Sequence, residues 1–248
     1  MPEKVSFQSD GLNIAGLLYF PLDGGKGIPY PCVILCHGMA GRKEDEEPLA
    51  LMLRDEGFAC LSFDFRGHGQ SEGQLDPNAP NDITAAVKYL ESRVEIDPNR
   101  LAIRGFSMGG FFALYVAARL QQLKAIVSVA PGTESAHLAI VSSKKFLRFV
   151  EEAGGRFRLA LEDMVNFLRR ASICADVGMI SPRSLLIIHA KGDEMLSWRS
   201  SEEIFSAAKE PSRLLLLNGG EHAWTEKSAE VHRIVLAWLK EQLALGGT

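Results

Sequence analysis

Short unbroken apolar runs alternate along this chain with longer stretches in which apolar residues recur every three or four positions. Residues 5–9 and 12–20 read as two strands joined by Asp10-Gly11, a strong two-residue hairpin signal, so an antiparallel edge is expected. A Gly- and Pro-rich loop follows over 21–31. Cys32-Val33-Ile34-Leu35-Cys36 is then a continuous apolar strand of the kind buried on both faces of a parallel sheet. Beyond it the two periods alternate. Helices are expected over 45–56, 81–93 and 108–120, and strands over 58–63, 100–105 and 124–130. Such alternation with short connections predicts an α/β fold built on a doubly wound, mostly parallel sheet.

The alternation stops between 132 and 181. Two amphipathic helical patterns, over 137–153 and 157–172, flank Gly154-Gly155 with no apolar strand between them. The chain therefore divides into a core of residues 1–131 and 182–248 and a small helical cap, 132–181, laid over the sheet edge. Most apolar positions of the cap, among them Leu138, Val141, Met164, Phe167 and Leu168, are expected to fix it to the core, and a minority to line a pocket. Its Lys144-Lys145 and Arg169-Arg170 pairs sit among balancing acids and read as a solvated face. The core rhythm resumes with strands over 184–190 and 213–217, a helix over 200–209 and a C-terminal helix over 229–245, which places Val231, Ile234, Val235, Trp238 and Leu239 on one face.

Charge and composition narrow the partners. With 27 Lys and Arg against 31 Asp and Glu, the 248-residue chain carries a net charge of -4, which offers nucleic acid or an anionic membrane no electrostatic attraction. No apolar stretch approaches the roughly 18 residues of a membrane span, and the first residues do not resemble a secretory leader, so a cytosolic protein is expected. Cys32, Cys36 and Cys60 lie inside apolar runs and Cys174 is distant from them; free thiols are expected, with no zinc or redox spacing.

The candidate chemistry centres on Gly105-Phe106-Ser107-Met108-Gly109, wedged between a strand and a helix. A strand that turns so sharply into a helix needs residues without Cβ on either side of the serine, whose hydroxyl is left at the tip in a strained backbone conformation. A serine hydroxyl is a poor nucleophile until a base takes its proton and a third group orients that base. His222, in the glycine-rich loop after the last strand, and Asp193, at the end of the strand before it, leave the same C-terminal sheet edge as Ser107. Asp176 and Glu194 are the alternative acids. His37, in Leu35-Cys36-His37-Gly38-Met39-Ala40-Gly41, is expected to tie its loop by hydrogen bonds rather than to act as a base.

These stretches, with Asp64-Phe65-Arg66-Gly67-His68-Gly69-Gln70-Ser71, resemble an α/β-hydrolase of the serine esterase and lipase group. The resemblance covers nearly the whole chain outside the cap and includes the chain order Ser107, Asp193, His222. It implies two-step acyl transfer on a small-molecule ester, an oxyanion hole formed by the Met39 and Met108 N–H groups, and no metal or organic cofactor. It also implies structural roles for Asp64, Arg66 and His68. The cap is similar to those of cinnamoyl-ester and short-chain acyl esterases and of monoacylglycerol lipases; a thioesterase is a further alternative, and a binding-only member of the fold belongs to another class. Gly38, Phe146, Phe149, Trp198 and Trp224 are the candidate pocket residues. Gly67-His68-Gly69-Gln70-Ser71-Glu72 imitates a dinucleotide-binding turn but lacks the third small residue at Glu72 and opens no helix, which argues against an oxidoreductase.

Overall fold

The computed structural model describes residues 1–22, 29–152 and 157–243. Its first half runs through β1 (Glu3–Ser9), β2 (Leu12–Tyr19), β3 (Tyr30–Cys36), α1 (Glu47–Asp55), β4 (Ala59–Phe63), α2 (Pro80–Glu91), β5 (Ile96–Phe106), α3 (Met108–Ala117) and β6 (Leu123–Val129). Four short helices follow, α4 (Glu134–Val141), α5 (Lys144–Glu152), α6 (Leu161–Leu168) and α7 (Ile173–Asp176). The chain then returns to the sheet with β7 (Ser184–Ala190), α8 (Arg199–Ala207), β8 (Ser212–Leu217), α9 (His222–Lys227) and α10 (Ala229–Gln242). The breaker Gly154-Gly155 and the last residues expected in the C-terminal helix lie outside the described residues. No helix among those described is long and apolar enough to cross a membrane.

All eight strands form one sheet in the order β1-β2-β4-β3-β5-β6-β7-β8. The Asp10-Gly11 hairpin makes β1 and β2 antiparallel, β2 also meets β4 antiparallel, and every later pairing is parallel. Strand periodicity divides the apolar side chains between two cores. Cys32, Ile34 and Cys36 join Phe63, Ile83, Phe111 and Phe112 on the face covered by α2 and α3, whereas Val33 and Leu35 join Leu49, Leu53, Val235 and Trp238 on the face covered by α1 and α10. That is why β3 reads as an unbroken apolar run: both of its faces are buried. The cysteines are free thiols, those at 32, 36 and 60 fully buried.

Between β6 and β7 the structure departs from the two helices expected. The first is split into α4 and α5 at Ser142-Ser143, where the Ser143 hydroxyl accepts the Phe146 N–H at 3.0 Å. A serine that bonds its own backbone in this way competes with helix continuation. The second begins only at Leu161. Residues 157–160 instead run in backbone contact with the loop after β4, through Arg158 N–H to Gly67 O (2.8 Å), Leu75 N–H to Arg158 O (2.7 Å) and Ala160 N–H to Leu75 O (3.0 Å). Apolar spacing alone cannot distinguish that extended edge from a first helical turn. Phe157 lies stacked on His68, ring centroids 5.2 Å apart, so the loop after β4 anchors this segment on the core.

The same loop fixes the segment that follows β3. Asp64, fully buried, accepts the Lys43 backbone N–H (2.8 Å), the Lys43 ammonium (2.6 Å) and the Gln70 N–H (2.9 Å). Arg66 binds Asp82 of α2 and both Ser9 and Asp10 of the hairpin.

Candidate active site

Ser107 stands between β5 and α3 with φ 53° and ψ -116°, a left-handed conformation costly for a residue with a Cβ. Two backbone bonds hold it there: its N–H donates to Val129 O at 2.9 Å, and its carbonyl accepts the Phe111 N–H at 2.9 Å. The parallel strands β5, β7 and β8 all end at this edge. His222 is the first residue of α9 rather than part of a loop, and the Gly219-Gly220 turn after β8 delivers it to Ser107. Its Nε2 lies 3.0 Å from Ser107 Oγ and its Nδ1 2.6 Å from Asp193 Oδ2. An ionised carboxylate only accepts, so Nδ1 carries the hydrogen and Nε2 is left to receive the serine proton.

Asp193 is fully used. Its Oδ1 accepts the N–H groups of Met195 (2.9 Å) and Leu196 (2.8 Å), and its Oδ2 faces both His222 and His189, the latter at 3.2 Å. Burial alone would raise this carboxyl; the hydrogen bonds from His189 and His222 outweigh it and hold it well below its ordinary value of 3.8. Of the alternative acids, Asp176 is paired with Arg119 at 2.6 Å, and Glu194 accepts the backbone N–H of His222 at 3.2 Å.

The loop after β3 passes over the nucleophile. A Cβ at Gly38 would lie 2.9 Å from the Phe106 ring and 3.5 Å from Ser107 Cβ. The loop closes in a turn, Gly41 N–H to Gly38 O at 3.0 Å, and two buried imidazoles brace it. His37 joins Gly38 O (2.7 Å) and the Phe65 N–H (3.2 Å), and His68 Nε2 accepts the Ala40 N–H at 3.2 Å. Burial pushes both rings down, His68 to about 3, so they brace as neutral groups. Met39 and Met108 donate their N–H groups to no protein acceptor among the described residues. Met108, as the first residue of α3, has no partner within the helix.

A cavity of about 420 Å³ opens on Ser107 and His222, with Gly38, Met39 and Met108 on its wall. Ile140 and Val141 of α4, and Phe146 and Phe149 of α5, give it an apolar side; Asp45, Glu194 and Glu226 give it an acidic one. Trp198 and Trp224 do not line it. Trp198 carries Lys191 and Arg199 over its ring, and Trp224 packs on Gly220 and is partly exposed. Two buried histidines at the site escaped sequence reasoning. His189 is the lone polar side chain in the apolar run Leu185–Ala190. His137 of α4 lines the cavity edge-on to Phe111, ring centroids 5.0 Å apart, its Nε2 without a partner. Burial, then the neighbouring His222, push His137 down to about 4, so it faces the cavity as a neutral ring.

Burial and then the Glu46 carboxylate push Glu226 up to about 7 from its ordinary 4.5. The folded chain thus holds a proton that the unfolded chain releases near pH 4.5, and stability falls as pH rises from there to about 7. Glu226→Gln is expected to remove that part of the fall and to melt above the wild type at pH 8. Thermal melts at pH 5 and pH 8 check this; an equal pH dependence in both proteins would refute it.

A family model described as the alpha/beta hydrolase fold matches residues 31–162. The uncharacterised protein YfhR of Escherichia coli (strain K12) is 28% identical over 237 residues, which span 93% of this chain and 78% of that one. Est1E from Butyrivibrio proteoclasticus, solved with ferulic acid bound, aligns over 97% of this chain and 99% of its own with a TM-score of 0.80 at 20% identity. The Pyrococcus furiosus esterase PF2001 aligns over 98% and 92% with a TM-score of 0.76, also at 20% identity. Structural likeness at such identity speaks for the fold alone.

Proposed function

Because this chain belongs to the alpha/beta hydrolase family, we propose that it is a serine carboxylic-ester hydrolase acting on short- to medium-chain acyl or aryl esters. One observation carries the proposal: Ser107 Oγ, His222 and Asp193 stand in an unbroken hydrogen-bonded line, 3.0 Å and 2.6 Å, with Ser107 and His222 on the wall of a cavity with an apolar side. His222 Nε2 takes the Ser107 proton as Oγ attacks the ester carbonyl, and Asp193 steadies the imidazolium that forms. The Met39 and Met108 N–H groups receive the oxyanion; each such donor is typically worth ~10²–10³ in rate. His222 then returns the proton to the departing alcohol, and a water activated in the same way frees the acid from Ser107.

The segment between β6 and β7 acts in this proposal as the cap, with Phe146 and Phe149 on the acyl side. A cavity of about 420 Å³ suits small acyl or aryl groups rather than a long fatty chain. The test is a panel of p-nitrophenyl esters from acetate to palmitate, run beside methyl ferulate, a monoacylglycerol and an acyl-CoA, with mass-spectrometric mapping of a fluorophosphonate adduct. Turnover that peaks at short or aryl acyl groups, with the adduct on Ser107, is expected. A palmitate optimum would reject the chain-length assignment. Inertness to every ester with no adduct would leave a binding protein.

A further inference from the structure

Behind Asp193 lies a second imidazole for which the acyl-transfer steps have no use. His189, the sixth residue of β7, is fully buried. Its Nε2 lies 3.2 Å from Asp193 Oδ2 and 3.0 Å from Leu196 O, and its Nδ1 lies 2.7 Å from Ser201 Oγ on α8. Carboxylate and carbonyl oxygens only accept, so Nε2 must carry the hydrogen. In the neutral ring Nδ1 then accepts the Ser201 O–H, which is also fully buried. The hydrogen-bonded line therefore runs through five side chains, Ser201 to His189 to Asp193 to His222 to Ser107.

We propose that His189 is a positioning residue that sets how Asp193 meets His222; this rests on the Ser107, His222 and Asp193 assignment proposed above. The carboxylate is clamped at both ends, Oδ1 by the Met195 and Leu196 N–H groups and Oδ2 by His189. A carboxylate so held cannot rotate away from His222. His189 also draws charge from the oxygen that His222 Nδ1–H contacts, and Ser201 strengthens that pull, because an imidazole that accepts at one nitrogen donates better from the other. When His189 is removed, more charge is left on Oδ2, the protonated form of His222 is favoured to higher pH, and less base is ready to take the Ser107 proton.

The test compares wild type with His189→Leu, His189→Gln and Ser201→Ala. Measurements are kcat and KM for p-nitrophenyl butyrate from pH 5 to 9, and the low-field proton resonance of the His222 Nδ1–H. The other titratable groups on the cavity, His137 of α4, Glu194 after β7, Glu226 of α9 and Asp45 before α1, are the same in all four proteins. His189→Leu is expected to lower kcat about tenfold at pH 7 with little change in KM. It should also raise the acid limb of the pH profile by about half a unit and move the low-field resonance. His189→Gln, whose amide N–H reaches toward Oδ2, should recover most of the rate, and Ser201→Ala should shift the limb the same way by less.

A buried packing role would lower the melting temperature yet leave limb and resonance in place, and that outcome overturns the proposal. If His189→Leu does not fold, an unmoved limb in Ser201→Ala overturns it instead. Wild type that neither hydrolyses esters nor labels at Ser107 removes the serine-hydrolase assignment and this proposal with it; labelling with an unmoved limb removes only the role of His189.

Discussion

Asp193→Asn is expected to cost about 10⁴ in kcat while leaving the fold and KM near wild type. The size of the effect follows from the four hydrogen bonds on the carboxylate. Oδ1 receives two backbone N–H groups, from Met195 and Leu196, and both require an oxygen there. The asparagine amide must therefore keep its oxygen on that side and turn its NH₂ toward His222 and His189. An NH₂ offers only donors, so His222 can bond it only with a lone pair on Nδ1, which puts the hydrogen on Nε2. That hydrogen points at Ser107 Oγ, 3.0 Å away, and the ring can no longer take the serine proton. Flipping the amide restores the acceptor for His222 but sets an NH₂ against the Met195 and Leu196 N–H groups, and losing those two hydrogen bonds costs about 0.5–1.5 kcal/mol each. Steady-state kinetics on p-nitrophenyl butyrate, with a thermal melt to show that the fold survives, measure the outcome. A loss below tenfold would show that Asp193 is not the orienting acid. Glu194→Gln is the companion control: its amide oxygen can still accept the His222 backbone N–H, so the change should stay within about threefold.

How much of this was legible in the amino-acid sequence depends on the range of the signal. The parallel sheet, its hairpin edge and the turn bearing Ser107 are local: strand and helix periods, Asp10-Gly11 and Gly105-Phe106-Ser107-Met108-Gly109 each declare themselves within a dozen residues. The meeting of Ser107 with His222 and Asp193 could be anticipated because strands of a parallel sheet release their loops at one edge. The break at Ser142-Ser143 was hidden because apolar spacing continues through it, and only the cap on Phe146 marks the boundary. Residues 157–160 owe their extended form to Gly67 and Leu75, more than eighty residues earlier in the chain, and no local pattern carries that information. Trp198 and Trp224, two of the candidate pocket residues, stand off the cavity wall: Trp198 is turned to Lys191 and Arg199, and Trp224 to Gly220. His189 could have been found: one imidazole in an otherwise apolar buried strand, four residues before an acid, must satisfy its nitrogens somewhere.

The close approach that makes the Ser107 turn possible is also its weakest point, and Gly109→Ala is expected to destabilise the fold severely and to abolish activity. A Cβ at Gly109 would lie 2.4 Å from Cys36 O and 2.6 Å from His37 O. Those are backbone atoms at the end of β3, not side-chain tips that can swing aside. Relief requires α3 and β3 to part, which opens the centre of the sheet, and it also displaces the His37–Gly41 turn that carries the Met39 N–H. Stability and the proposed oxyanion site are therefore lost together. Gly105→Ala drives a Cβ from β5 into the backbone of α3 at Gly109 and Gly110, an overlap of the same kind. Overpacking against backbone belongs to the severe class of substitutions, about 4 kcal/mol or more, or a fall in melting temperature of roughly 10 °C for a chain this size. Gly178→Ala separates steric overlap from the general effect of replacing a glycine: the nearest atom to its Cβ is 3.4 Å away and its φ is not positive, so it should melt within about 2 °C of wild type. Soluble yield, thermal melts and ester hydrolysis on the three variants decide the matter. A Gly109→Ala protein that melts and turns over like Gly178→Ala would mean that α3 does not lie against the end of β3, and the geometry assigned to Ser107 would fall with it.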